Sequence, residues 1–220
     1  MDWERPFANR ADAGRELARL LTHYAARSDV IVLALPRGGV PVAFEVAKAL
    51  AAPLDLLVVR KLGVPYQPEL AMGAIASGGA LYVDRHLVRD ACVDTAQFDA
   101  VLARERGELA RREAQYRGTR APLAVADRVA IVVDDGMATG ASLRAAALAL
   151  RARGETDRPV KIVAALPVAP YSAAARIGDT VDEFVCVKTP MRFISVGQYY
   201  VDFQQTEDDE VRALLDAARC

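Results

Sequence analysis

Residues 134–142 read Asp134-Asp135-Gly136-Met137-Ala138-Thr139-Gly140-Ala141-Ser142 and follow an apolar run that stops at Val133. Two adjacent carboxylates repel each other and lose hydration if merely buried, so they need either a ligand or solvent. The vicinal hydroxyls of a sugar are donors suited to such acceptors, and a magnesium ion could be held there too, directly or through a bound pyrophosphate ligand. The glycines behind them let backbone approach a phosphate closely, and free N–H groups at the start of a following helix attract the anion. Thr139 and Ser142 add hydroxyl donors. Diol acceptors followed at once by a phosphate cradle have the chemistry and reach of a ribose 5-phosphate. Asp-Asp-Gly alone would be satisfied as a turn with Ser142 capping a helix. The whole string in a strand–loop–helix setting favours the ligand.

Two further segments carry matching chemistry. Leu35-Pro36-Arg37-Gly38-Gly39-Val40 ends another apolar run and precedes a helical stretch, so its backbone N–H groups can face the same ligand. By itself it would pass for a surface turn. Arg60-Lys61 closes a third apolar run, where a planar guanidinium and a point-charge ammonium could neutralise a diphosphate. The following stretch, Leu62 to Gly73, is rich in turn residues without clean periodicity and reads as a closing loop. Its carboxylate, Glu69, is a candidate for contacting an acceptor, against a plainer role as a surface or capping group. Phe193, Tyr199, Tyr200 and Phe203 are concentrated in Lys188–Gln205, which suits a flap as readily as a core.

The elements that must position these residues alternate. A helix is expected near Ala11–Ala26, a strand at Val30–Leu35, a helix at Val42–Ala52 and a strand at Leu54–Val59. The series resumes with a strand at Val129–Val133, a helix at Ser142–Arg153 and a strand at Val160–Leu166. Continuous apolar runs suit strands buried on both faces. With helices between them they predict a parallel α/β sheet that binds ligands beyond the carboxyl ends of its strands. Thr95–Arg117 reads as a long helix marked by Phe98, Leu102, Leu109 and Tyr116. It suits a solvated cover or, in a homodimer, a subunit contact.

Length and composition bound the alternatives. The 220 residues suit a single domain, with a core at about 28–170, a helical insertion at about 95–118 and a flap at about 185–206. A net charge of −1 argues against a nucleic-acid footprint. No apolar run approaches a membrane span, and the start, with Asp2, Trp3 and Glu4, shows no signal peptide. Cys92, Cys186 and Cys220 lack metal-ligand spacing and read as thiols of a reducing cytoplasm.

Val132–Ser142 resembles the phosphoribosyl-pyrophosphate motif of the type I phosphoribosyltransferases: an apolar strand, two acids, two variable residues, then a small residue with Thr-Gly. Gly136 departs from the pattern, where the family has an aliphatic residue. Ala138 stands where members acting on hypoxanthine and guanine carry an Asp, which argues against that specificity. Leu35–Val40 resembles the family's pyrophosphate loop, whose non-proline cis peptide would fall at Arg37–Gly38. The resemblance spans most of the chain, through the terminal Val-Gly-Gln-Tyr-Tyr-Val-Asp-Phe, and is nearest to bacterial members without an assigned acceptor. It implies a type I α/β fold with helices on both faces and a small C-terminal hood, with magnesium as cofactor. The implied reaction is displacement of pyrophosphate from 5-phosphoribosyl-1-pyrophosphate by a small nitrogenous acceptor. Asp134 and Asp135 would then hold the ribose hydroxyls, and Gly136, Met137, Ala138, Thr139, Gly140, Ala141 and Ser142 the 5-phosphate. Arg37, Gly38, Gly39, Arg60 and Lys61 would take the pyrophosphate, while Phe193, Tyr199 or Tyr200 stack on the acceptor. Lys61, Glu69 and the acid pair are the expected catalytic groups. A regulator that binds the same ligand without turnover, and a phosphoribosyl hydrolase or phosphorylase, are the competing readings.

Overall fold

The computed structural model describes residues 5–118 and 121–218; the expectations placed on residues 1–4 and on Cys220 lie outside the described residues. After helix α1 (Arg10–Leu20) and a 3-10 turn at Thr22–Tyr24 come β1 (Val30–Ala34), α2 (Gly39–Leu50) and β2 (Leu54–Leu56). A second sheet follows, with β3 (Val59–Val64), β4 (Gln67–Ala76) and β5 (Ala80–Val83), then α3 (Arg85–Asp90) and α4 (Thr95–Arg117). The remainder comprises β6 (Val129–Val133), α5 (Ala141–Arg151), β7 (Lys161–Val168), α6 (Ala173–Ile177), β8 (Glu183–Lys188) and α7 (Asp208–Ala217).

The main sheet is parallel, in the order β2-β1-β6-β7-β8. Side chains alternate across it as strand geometry requires. Val30, Val32 and Ala34 join one apolar cluster with α1 and α2, while Ile31 and Leu33 join another with α5. Helices therefore cover both faces, as expected. The edge strand β8 was not legible in the alternation, because its residues are only half-buried. From β1 the chain moves outward to β2, and from β6 it moves the other way to β7 and β8. The carboxyl ends of β1 and β6 thus flank the point where strand order reverses, which is where such sheets open a crevice. Their register, Ala34 opposite Val133, sets Leu35–Gly39 directly beside Asp134–Asp135.

The segment after Leu54 departs from expectation. The parallel strand ends at Leu56 instead of Val59, and Leu57 makes its last bond to Ala34 O at 2.9 Å. Beyond Ala34 the neighbouring β1 turns away at Pro36, so no parallel partner remains. Val59 instead opens an antiparallel arm, which puts Arg60 and Lys61 inside β3 and not at a strand end. The expected closing loop is largely the β3–β4 hairpin, paired from Val59↔Ala76 to Val64↔Gln67. Pro68, the irregular register around Gly63 and the exposed half of β4 from Gln67 to Ala71 erased the strand period from the sequence.

Helix α4 spans the expected residues. Its start is set by a reciprocal cap in which Asp94 Oδ1 accepts from Gln97 N at 2.8 Å and Asp94 N donates to Gln97 Oε1 at 3.0 Å. Val101, Leu102, Leu109 and Tyr116 form a buried stripe toward β3 and α7, so one face of this helix belongs to the fold. Its last residue, Arg117, pairs with Asp55 at 3.1 Å, each side chain being 2% exposed. Asp55 also accepts from Leu123 N at 2.7 Å, tying the chain after α4 to β2.

After β8, residues 189–206 form the hood. It is held by the amino-terminal segment: Phe7 N donates to Tyr199 O and Val201 N to Phe7 O, each at 2.8 Å. Phe7, Ala13, Val168 and Tyr200 make a small core beneath it. No helix among the described residues is long and apolar enough to cross a membrane.

Candidate functional site

The two strand ends touch so closely that side chains are excluded between them. A Cβ on Gly39 would sit 2.7 Å from Val133 O and 2.9 Å from Asp134 Cα, and one on Gly38 would sit 2.0 Å from Asp135 Oδ2. The Pro36–Gly39 loop and the acid pair are therefore one packed unit. The cis peptide is at Pro36–Arg37, one bond before the expected Arg37–Gly38. The reason is local: Gly38 already has helical φ/ψ of −59° and −31°, and Val40 N donates to Arg37 O at 3.1 Å. The bond after Arg37 thus belongs to the first turn of α2, and a helical turn is built of trans peptides.

Next to this unit lies a cavity of about 210 Å³ whose walls include Pro36, Arg60, Lys61, Arg112, Asp134 and Ser142. The acid pair divides at this point. Asp134 faces the cavity, its Oδ1 accepting from Asp135 N at 2.9 Å. Asp135 turns toward α1, where Arg10 Nε donates to its Oδ2 at 2.9 Å and a second Arg10 nitrogen lies equally close. The Arg10 guanidinium stacks 4.1 Å above Phe203 and donates to Gln204 O at 2.5 Å. Tyr200 adds a hydrogen bond from its hydroxyl to Asp135 O at 2.5 Å. Burial, followed by the charge of Asp135, holds the Asp134 carboxyl well above the ordinary carboxylate range. Burial raises Asp135 too, and Arg10 opposes that rise.

The predicted cations have unequal positions. Lys61 is exposed in the cavity and makes no ion pair with a described residue. Arg60 lines the cavity too, but its guanidinium is held by the buried Glu105 of α4, with nitrogens at 2.9 and 2.7 Å. Arg37 points elsewhere, its Nη1 3.6 Å from Asp208 Oδ1 at the start of α7. Arg112, on α4, enters the cavity wall while donating to Glu108 at 2.8 Å. Glu69 lies in the exposed half of β4 and lines neither this cavity nor the one described below.

Of the loop from Gly136 to Ser142, Ser142 lines this cavity. Gly136 is needed for space, since a Cβ there would come 2.6 Å from Val196 of the hood. Met137 is buried in the core, its N–H donating to Val168 O at 2.9 Å. Gly140 takes the left-handed conformation (φ 80°) and precedes α5 without a side-chain cap. Gly140 supplies no side chain there, and the first amide of α5, Ala141 N, donates instead to Thr139 Oγ1 at 3.3 Å, beside the exposed Ser142.

A second cavity, of about 440 Å³, opens on the other side of this loop. It is bounded by Ala138 and Thr139, by Tyr171 and Arg176 after β7, and by Phe193 and Ile194 of the hood. Tyr199 stacks on Phe193 with centroids 5.8 Å apart, whereas Tyr200 is 6% exposed and tilts against Phe7 and Phe203. Of the three candidate acceptor aromatics, Phe193 lines this cavity, Tyr199 backs it, and the buried Tyr200 has no face to offer.

Residues 7–197 match the family model described as the phosphoribosyl transferase domain. The chain belongs to this family. It is 50% identical over 212 residues to a Mycobacterium tuberculosis protein named "Putative phosphoribosyl transferase Rv0571c", a match covering 96% of this chain and 47% of that protein. The chain thus spans about half the length of the curated relatives it matches. The crystal structure of TT1426 from Thermus thermophilus is 38% identical, with a TM-score of 0.84, over 96% of this chain and 97% of that one. A Neisseria gonorrhoeae hypothetical protein solved with bound ppGpp shares the fold at 12% identity and a TM-score of 0.50, covering 98% of both chains.

Sequence reasoning missed the roles of Arg10, Arg112, Arg176 and Val196. The three arginines sit in no local motif, and Val196 opens the terminal Val-Gly-Gln-Tyr-Tyr string without any sign there that it packs on Gly136. Each reaches the site through a helix or the hood brought in from elsewhere in the chain.

Proposed function

We propose that this phosphoribosyltransferase-family protein moves the 5-phosphoribosyl group of 5-phosphoribosyl-1-pyrophosphate to a nitrogenous acceptor and releases pyrophosphate. The carrying observation is one cavity that joins a carboxylate, Asp134, to Ser142 in the first turn of α5 and to Lys61, a cation with no ion pair to a described residue. Asp134 accepts from the ribose hydroxyls, and Asp135, tied to Arg10, fixes its position and completes the acidic pair. The backbone of Gly136–Ser142 and the hydroxyls of Thr139 and Ser142 receive the 5-phosphate. The amide of Gly38, with Lys61 and Arg60, receives the pyrophosphate, whose charge grows as it leaves, while Gly39 N donates to Leu35 O at 3.1 Å and lets the loop pack closely. Arg37 contributes through its backbone, its side chain being engaged by Asp208. In the transfer the C1–O bond breaks, with its electron pair leaving on pyrophosphate, and the acceptor nitrogen's lone pair forms the C1–N bond.

No group of three or more His, Cys, Asp or Glu side chains able to hold a metal occurs among the described residues. Magnesium fits that donor set only in its usual manner, on one or two carboxylates and the substrate's phosphates. When bound it would neutralise the pyrophosphate, with Asp134 and Asp135 the protein groups nearest to it. Glu69 remains a candidate acceptor contact only if the β3–β4 arm folds inward.

The test is to incubate the protein with the pyrophosphate ligand, magnesium and a panel of nitrogenous bases, following pyrophosphate release. Release with a base supports transfer. Release in water alone would mean hydrolysis, and tight binding without any release would mean a sensor. Asp134→Asn with Asp135→Asn removes charge-assisted hydrogen bonds at ~1.5–3 kcal/mol each, so affinity should fall roughly two to four orders of magnitude. Unchanged affinity in a folded double variant would sink the site assignment.

A further inference from the structure

The charge around the second cavity is one-sided. Ala138, the residue at its mouth, has a carbonyl that accepts from Arg176 Nη1 at 3.1 Å, so a guanidinium stands directly over the phosphate loop's midpoint. A guanidinium has five N–H donors. This one makes no other hydrogen bond with a described residue. Thr139 and Ser172 add hydroxyls, and no carboxylate is among the residues that line the cavity. The remaining wall is apolar or aromatic, with Tyr171 and Ile194 left 69% and 80% exposed. Exposed aromatic and aliphatic surface of this kind, beside a guanidinium with donors to spare, matches a flat ring bearing a negative group.

We propose that the acceptor is a planar nitrogen-containing ring carrying an anionic substituent such as a carboxylate, seated in this cavity with its anion on Arg176. The inference rests on the transfer reading above and names its substrate class. One feature favours it over a neutral base: the cation attracts the anion, and an Arg fork matches a carboxylate in particular. The transfer balances without a protein base: the ring nitrogen's lone pair forms the bond to C1, the C1–O pair leaves on pyrophosphate, and any proton on that nitrogen passes to the departing pyrophosphate. A neutral ring of the same shape would leave Arg176 facing an apolar edge.

The experiment uses the full chain with magnesium. The pyrophosphate ligand is titrated first by calorimetry; if it does not bind, the transfer reading fails and this inference falls with it. Matched ring pairs are then compared in its presence by binding and pyrophosphate release: pyridine-3-carboxylate against its carboxamide, and a pyrimidine carboxylate against the ring lacking the carboxylate. The acids should bind about tenfold more tightly than their neutral partners, the scale of one charge-assisted hydrogen bond partly screened by solvent. Arg176→Gln should bring the acid-to-neutral ratio close to one, and Arg176→Lys should recover part of it. Equal binding of acid and neutral partners, or no binding of any ring acid to a protein that binds the pyrophosphate ligand, overturns the proposal alone. So does a ratio untouched by Arg176→Gln. If Arg176→Gln weakens the pyrophosphate ligand and leaves the ratio intact, the cation belongs to the 5-phosphate and the proposal is wrong.

Discussion

Gly39→Ala adds one methyl group at the contact between the two strand-end loops. The new Cβ would lie 2.7 Å from Val133 O and 2.9 Å from Asp134 Cα, both backbone atoms that cannot rotate away. An ordinary contact begins at 3.4 Å, so the loops must part by about 0.5–0.7 Å. Overpacking of this kind costs roughly 1–3 kcal/mol, offset by ~0.4–1 kcal/mol from the less flexible unfolded chain. A net loss of about 1–2 kcal/mol in a chain of this size lowers Tm by roughly 2–8 °C. The same displacement moves the backbone donors of the Pro36–Gly39 loop relative to Asp134. A misplacement of about 1 Å can cost on the order of a hundredfold in catalysis, so affinity for pyrophosphate should drop about tenfold or more. Gly107→Ala supplies the opposite sign. Gly107 lies inside α4 with nothing within 4 Å of its would-be Cβ, so alanine there should stabilise by about 0.4–1 kcal/mol. Both variants are read by denaturant and thermal melts with calorimetric titration of pyrophosphate. Wild-type stability and affinity in Gly39→Ala would refute the packing of the Pro36–Gly39 loop on the acid pair.

Further expectations concern the buried charges. Asp134 has its folded pKa raised, so the native state holds its proton longer than the unfolded chain and stability falls as pH rises through that interval. Asp134→Asn should abolish that fall and be more stable than wild type at neutral pH while losing ligand affinity; parallel Tm–pH curves would contradict it. Arg10→Gln leaves Asp135 without its partner in a site whose side chains are 12% and 16% exposed, which should cost ~1–3 kcal/mol and loosen the hood. Limited proteolysis within 189–206 reports the loosening, and Arg10→Lys should restore part of the stability. Arg117→Met breaks a pair whose partners are both 2% exposed, so urea melts should show a loss of about 3–5 kcal/mol. Adding Asp55→Leu should not fully recover it, because Leu123 N then loses its acceptor; full recovery would show that this backbone tie contributes nothing.

The parts of the protein legible from sequence were those written in neighbouring residues. Val129–Ser142 announces strand, turn and helix because an apolar run, two acids and a glycine-containing loop follow one another without interruption. The start of α4 was readable for the same reason, since its cap joins residues three apart. The β3–β4 arm was not, because its partner strand and the exposure of its tip, rather than any local period, decide its shape. Charge pairing was least legible. Arg10 and Asp135 are 125 residues apart, and Arg60 meets Glu105 across 45, so nothing adjacent to either arginine signals its partner. Sequence alone determined that two acids and a glycine-containing loop sit at the end of a parallel strand. Tertiary packing decided which acid faces the cavity, which cations remain unpaired there, and that a guanidinium lies over Ala138. Backbone propensity acts between neighbours, whereas the field at a site is the sum over every segment folded against it.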